Sequence, residues 1–128
     1  MPLEHINPDT MHSNPAFSQA TLVSGGRTLY IGEQNGVDEH GAIVEGGARA
    51  QALQALDQVK RLLAAVGATQ ADVAVLRVFY GRDVELQDIM SASMEAWGPH
   101  PTALTVVQVH ALARAGALVG IEAIAHLA

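Results

Sequence analysis

Two periods alternate along this chain, and the switches between them mark out its elements. Residues 4–6 have room for a short strand, and the Asn-, Pro- and Ser-rich stretch that follows, as far as Pro15, reads as loop. Phe17 to Ser24 reads as a strand, Gly25-Gly26 as a tight hairpin turn and Thr28 to Gly32 as the returning arm. Asn35 to Gly41 is rich in turn residues, and Gly46-Gly47 precedes a helix. In that helix Leu53, Leu56, Val59, Leu63 and Val66 recur at spacings of three and four, which gives one apolar stripe, and Gly67 stands where a C-cap glycine belongs. Val73 to Tyr80 is a β-branched and aromatic run suited to one buried strand. Val84 to Trp97 reads as a second helix with Leu86, Ile89, Met90 and Trp97 on its apolar side, ended by Gly98-Pro99-His100-Pro101. Ala103 to Val109 is a strand, a loop surrounds Ala113 to Gly116, and Leu118 to Ala125 is the last strand.

The order β-β-β-α-β-α-β-β predicts an α+β fold, a mixed sheet with both helices on one face, in a single domain over residues 1–128. Alternation then raises a packing problem. In the strand from Ala103 to Val109, Ala103, Thr105, Val107 and Val109 share one face and Leu104, Val106 and Gln108 the other, and both sets are largely apolar. Such a strand is expected to be buried on both sides. Helices cover only one, so a second subunit is the expected cover for the other.

Composition points the same way. Charged residues make up 16% of the chain and apolar ones 49%, against about 25% charged in an average domain. So few charges leave little material to solvate the whole surface of a monomer. Thirteen acidic residues against seven basic give a formal charge of −6, and the basic residues are scattered. That surface repels phosphate backbones, so no nucleic-acid partner is expected. The apolar stretch from Ala115 to Ala128 is too short to span a bilayer and is interrupted by Glu122, and the N-terminus carries no secretory signal. No membrane association and a cytoplasmic location are therefore expected.

Conventional catalytic chemistry is scarce. With no Cys, disulfides, thiol nucleophiles and Cys-based metal sites are excluded. There is no phosphate-binding loop or dinucleotide fingerprint, and the six His residues show no metal-ligand spacing, so neither cofactor nor metal is expected. Ser91 and Ser93 lie inside the second helix without a nearby base. Glu122 stands apart, as a carboxylate in the otherwise apolar run Leu118-Val119-Gly120-Ile121-Glu122-Ala123-Ile124-Ala125. Burying it without a partner is costly, so it is expected to be solvated, paired or used. Alternation puts it on the side of Gly120 and Ile124, where the missing side chain of Gly120 leaves room for a ligand. A salt bridge to Arg77 or Arg114 outside any cavity is the structural alternative.

Taken in order, several segments resemble the RidA/YjgF family of reactive-intermediate deaminases. Pro15-Ala16-Phe17-Ser18-Gln19-Ala20 resembles that family's P-Y-S-Q-A entry, and Leu29-Tyr30-Ile31-Gly32-Glu33-Gln34 its strand ending in S-G-Q. Gln51 to Val59 resembles its first helix, and Ile121-Glu122-Ala123-Ile124-Ala125 its I-E-A-[IV]-A ending. The resemblance implies a chorismate-mutase-like fold, a homotrimer with a central barrel and small-molecule ligands bound at subunit interfaces. Carried over by position, it places Phe17, Gly32, Glu33, Met90, Leu104 and Val106 in the ligand pocket, with Glu122 as the acid/base.

The departures matter as much. Where the family's P-A-R-S strand supplies an arginine that clamps the substrate carboxylate, this chain has Thr102-Ala103-Leu104-Thr105; the entry tyrosine is Phe17, the second-helix asparagine is Met90 and the glycine of S-G-Q is Glu33. Each charge-assisted hydrogen bond contributes about 1.5–3 kcal/mol, and an arginine fork makes two. The implied activity is therefore hydrolysis of an uncharged or non-amino-acid enamine or imine. The alternative is a metabolite-binding trimer without catalysis.

Overall fold

The structure, a computed structural model, describes residues 3–128. Its strands are β1 (Leu3–Ile6), β2 (Ala20–Val23), β3 (Arg27–Gln34), β4 (Val73–Gly81), β5 (Ala103–Val109) and β6 (Val119–Leu127). Helix α1 (Gly47–Ala64) lies between β3 and β4, and α2 (Leu86–Ala96) between β4 and β5. β1 and β2 pair antiparallel as a separate ribbon, and the main sheet runs β3-β6-β4-β5. Within it β4 and β5 are parallel and the other pairings antiparallel, so the expected mixed α+β sheet is present.

Both helices pack on one face. α1 buries Ala52, Ala55, Leu56, Val59 and Leu63 against Val119, Ile121, Ala123 and Ala125 of β6 and Leu76 and Val78 of β4; α2 adds Ile89 and Ala92. The alanines at 52 and 55 keep α1 narrow enough to sit close to its neighbours. Past Ala64 the chain leaves the helix through Gly67 at φ 76°, and the Ala68 N–H reaches back to Leu63 O at 2.9 Å, the bond pattern of a glycine-terminated helix. Gln51 is buried and fastens the approach to β6: its Nε2 donates to Gly116 O and its Oε1 accepts from Leu118 N.

Several boundaries differ from those expected: α1 ends at Ala64, short of Val66, and β6 runs on to Leu127. The strand predicted over Phe17 to Ser24 is regular only over Ala20–Val23, because Ser18 leaves β2 to bridge Ala103 at the edge of β5, its N–H donating to Thr102 O at 3.0 Å. β3 continues past Gly32 to Gln34 through a bulge: Ile31 opposes Ala123 and Gln34 opposes Ile121, so Gly32 and Glu33 together oppose Glu122. α2 is shorter than Val84 to Trp97 at both ends.

Neither helix packs on the other face of the sheet. Ile124, Val75, Phe79 and Val107 lie on it, and beside them Tyr30 is 75% exposed. β5 is an edge strand of intermediate or exposed residues, not buried on both sides within one chain. Among the described residues no helix is long and apolar enough to cross a membrane.

Candidate functional site

Between α2 and the β4–β5 end of the sheet lies a cavity of about 490 Å³, within the size range of small-molecule sites. Leu76 and Val78 of β4 form its floor with Leu104 and Val106 of β5, which oppose them in register. Met90, Ser93 and Met94 of α2 form one wall, and the turn from Trp97 to Thr102 closes the end. Met94 is 79% exposed while lining the cavity, which puts it at the mouth. Pro15 and Ala16 reach the cavity because the Ser18 bridge draws their loop against the start of β5.

The lining is apolar except for Ser93, Trp97, His100 and Thr102, and it contains no Arg, Lys, Asp or Glu. Thr102 is already committed, its Oγ1 donating to Val73 O at 2.6 Å. Trp97 Nε1 is the one buried side-chain polar atom without a hydrogen-bond partner among the described residues. No cation has taken the place of the absent arginine in this cavity.

Of the seven expected site residues, the chain brings together Met90, Leu104 and Val106, all on the helix side of the sheet. Phe17 adjoins them in sequence through Ala16, but its ring packs edge-on against His12, with centroids 6.4 Å apart, and does not line the cavity. Gly32, Glu33 and Glu122 lie elsewhere. Glu122 faces the open side of the sheet, where Arg77, its direct cross-strand neighbour, donates from Nη1 to Oε1 at 2.9 Å. The Arg77 and Glu122 side chains are 43% and 29% exposed. Nor is the space beside Gly120 vacant: a Cβ there would collide with the carboxylate of Glu33, whose Oε2 accepts from Asn35 Nδ2 at 2.9 Å. One sheet therefore separates the apolar members of the set from the acidic ones.

Sequence reasoning missed the turn that closes the cavity. Gly98-Pro99-His100-Pro101 was legible only as a helix stop and Trp97 only as core, yet Trp97 and all four residues of that stretch line the cavity. A histidine between two prolines, directly after an apolar helix, was the available signal. A second, smaller hollow of about 200 Å³ lies on the far side of the same turn, lined by His5 and His100 among others. No group of three or more His, Asp or Glu residues suited to a metal occurs among the described residues.

Comparison with known proteins agrees with this geometry. The family model for Endoribonuclease L-PSP matches residues 8–127. A RutC family protein of Sulfurisphaera tokodaii is 34% identical over 97 residues, 75% of this chain and 76% of that protein. A crystal structure of a conserved Rid family protein from Yersinia pestis superposes with a TM-score of 0.88 at 34% identity, covering 99% of this chain and 100% of that one. RidA from an Antarctic Psychrobacter superposes with a TM-score of 0.73 at 30% identity, over 91% of this chain and 92% of that one. With its family model matched across nearly its whole length, and with relatives that share its fold from end to end, the chain belongs to the RidA/YjgF family.

Proposed function

We propose that this chain is a small-molecule pocket protein whose ligand lacks a carboxylate, and that it hydrolyses an uncharged or non-amino-acid enamine or imine. The observation that carries the reading is the lining of the cavity: Leu104 stands where a carboxylate clamp is expected, and no Arg or Lys replaces it. A carboxylate placed there would lose its hydration without a counter-charge, which is unfavourable by several kcal/mol at least.

The division of the expected set by the sheet bears on assembly. Met90, Leu104 and Val106 cannot meet Glu122 within one chain. They can meet across copies if the open face of one sheet packs beside the cavity of another. The apolar surface formed by Val75, Phe79, Val107 and Ile124 suits such packing. We take the assembly to be a homotrimer with a central barrel of chorismate-mutase-like form, its ligand held where subunits meet. Glu122 of a second copy then serves as general acid/base, delivering water to the C=N carbon and a proton to the departing nitrogen.

One observation favours a second reading. Arg77 Nη1 already donates to Glu122 Oε1, so that oxygen is engaged within its own chain; on the second reading the trimer binds a metabolite without turning it over. The nuclease activity in the matched family's name is not adopted for this chain, because a formal charge of −6 and scattered basic residues provide no groove for a phosphate backbone.

The two readings separate in an ammonia-release assay on uncharged imines generated in situ by an amine oxidase. Faster release with the wild type, and not with Glu122→Gln, supports hydrolysis. Saturable binding without acceleration supports the second reading.

A further inference from the structure

Helix α2 stands off the strands beneath it. It buries only two of its residues, Ile89 and Ala92, where α1 buries six, and it rests mainly on α1. The space between α2 and the β4–β5 end of the sheet is thereby left to the cavity. The connection sets the length of that space. β4 and β5 are parallel, so the helix that joins them runs back along them, with its start over the Val106 end and its last turn over the Thr102 end. Residues that line the cavity occur along this whole course. On the helix they run from Ile89 to Trp97, about 12 Å at a rise of about 1.5 Å per residue. Along the strand they run from Thr102 to Val106, about 13 Å at about 3.3 Å per residue. Floor and wall thus agree on the length of one trough.

That length decides what fills it. A carbon chain with single bonds of about 1.5 Å at near-tetrahedral angles spans the trough with about nine or ten carbons. A three-carbon imine, such as those derived from serine or alanine, leaves most of the cavity's 490 Å³ unoccupied, and unfilled apolar space forfeits the contacts its lining atoms would make. The side chains along the trough are aliphatic or thioether groups, among them Leu76, Val78, Leu104, Val106 and Met90. Met90, Leu104 and Val106 are half-buried, so each has surface left to give to a ligand.

We propose that the ligand of this cavity is elongated: an uncharged imine or enamine of a medium-length aldehyde or ketone, about eight to ten carbons long, lying between α2 and β5. The inference rests on the reading of the cavity as the ligand site, and it names the size and shape class of the ligand there. Carbons beyond that length have to leave the trough for water past Met94, which is exposed at the mouth.

Straight-chain 2-ketones from pentan-2-one to undecan-2-one, with C=O standing in for C=N, are titrated calorimetrically into the intact protein. Affinity is expected to rise about fourfold with each added methylene and to level off at about nine or ten carbons. Val106→Phe and Met90→Phe push a ring into the trough from opposite sides, and each is expected to make the rise stop at a shorter chain. Thermal melts show that the fold is kept, and either variant alone serves if the other does not fold. Levelling off at pentan-2-one or hexan-2-one in the wild type, with binding still weakened by the variants, overturns the elongated ligand and leaves the cavity as the ligand site. Affinity that rises with length but is unmoved by either variant, or no binding of any ketone, overturns the cavity reading as well.

Discussion

Arg77 and Glu122 stand opposite each other on neighbouring strands, joined by an Nη1–Oε1 bond of 2.9 Å, on the sheet face that no helix covers. The pair bears on the proposed function because Glu122 is the acid assigned there, and Arg77 is its partner within the chain. With the side chains 43% and 29% exposed, solvent screens the pair, and its contribution to the stability of one chain is within about 1 kcal/mol. Arg77→Met is therefore expected to lower unfolding stability by no more than that under conditions where the chain is monomeric. A loss of several kcal/mol in denaturant titrations would show the pair to be a structural element first.

Glu122→Gln keeps the shape and removes the charge. The assembly is expected to survive, with ligand turnover or binding abolished. Sedimentation and the ammonia-release assay on the same preparation check both halves. If the variant loses stability alone and keeps full activity, the acid/base role assigned to Glu122 fails.

Imines derived from serine, leucine or alanine all carry a carboxylate, and the wild type is expected to hydrolyse them poorly. Leu104→Arg places a guanidinium on the floor of the cavity, where Leu104 now sits beside Leu76, and is expected to raise that activity at least severalfold. Phe17 and Met90 still differ from the family's tyrosine and asparagine, so recovery is expected to be partial. Rapid wild-type turnover of these imines would mean that another group binds the carboxylate.

Assembly has its own test. The open face carrying Val75, Phe79 and Ile124 predicts a stable trimer at micromolar concentration in sedimentation velocity. A stable monomer would remove the interfacial placement of Glu122 with it.

A purely structural prediction concerns Gly36. A Cβ there would run into the backbone of Gln51, the residue whose side chain fastens Gly116 and Leu118. Backbone cannot give way as a flexible side chain can, so Gly36→Ala is expected to lower stability by about 1–3 kcal/mol, the usual cost of overpacking. Gly120→Ala meets only the movable end of Glu33 and is expected to lose less. Thermal melts of the two variants side by side decide it.

The order of elements was legible because each helix and strand carries its own period, as with Leu53, Leu56, Val59 and Leu63 in α1. What alternation could not reveal was long-range pairing. Ser18 leaves its strand for a partner on β5, and the bulge at Gly32 and Glu33 gives two residues of β3 to one of β6; neither leaves a mark in the local pattern. The face on which Glu122 lies was legible, and Arg77 was one of its two foreseen partners, but choosing between them requires the register of β4 against β6. That Glu122 and Leu104 fall on opposite faces needed the same register, since alternation is relative within each strand and says nothing about two strands at once.

The central claim, that the cavity takes an uncharged ligand, is tested most directly by calorimetric titration of the wild type with two compounds of equal chain length. One is 4-methyl-2-oxopentanoate and the other is 4-methylpentan-2-one, in which a methyl group replaces the carboxylate. The lining of Leu76, Leu104 and Met90 without a cation predicts that the ketone binds more tightly by at least about tenfold, the equivalent of one charged group left unpaired. Equal or tighter binding of the keto acid would contradict the account.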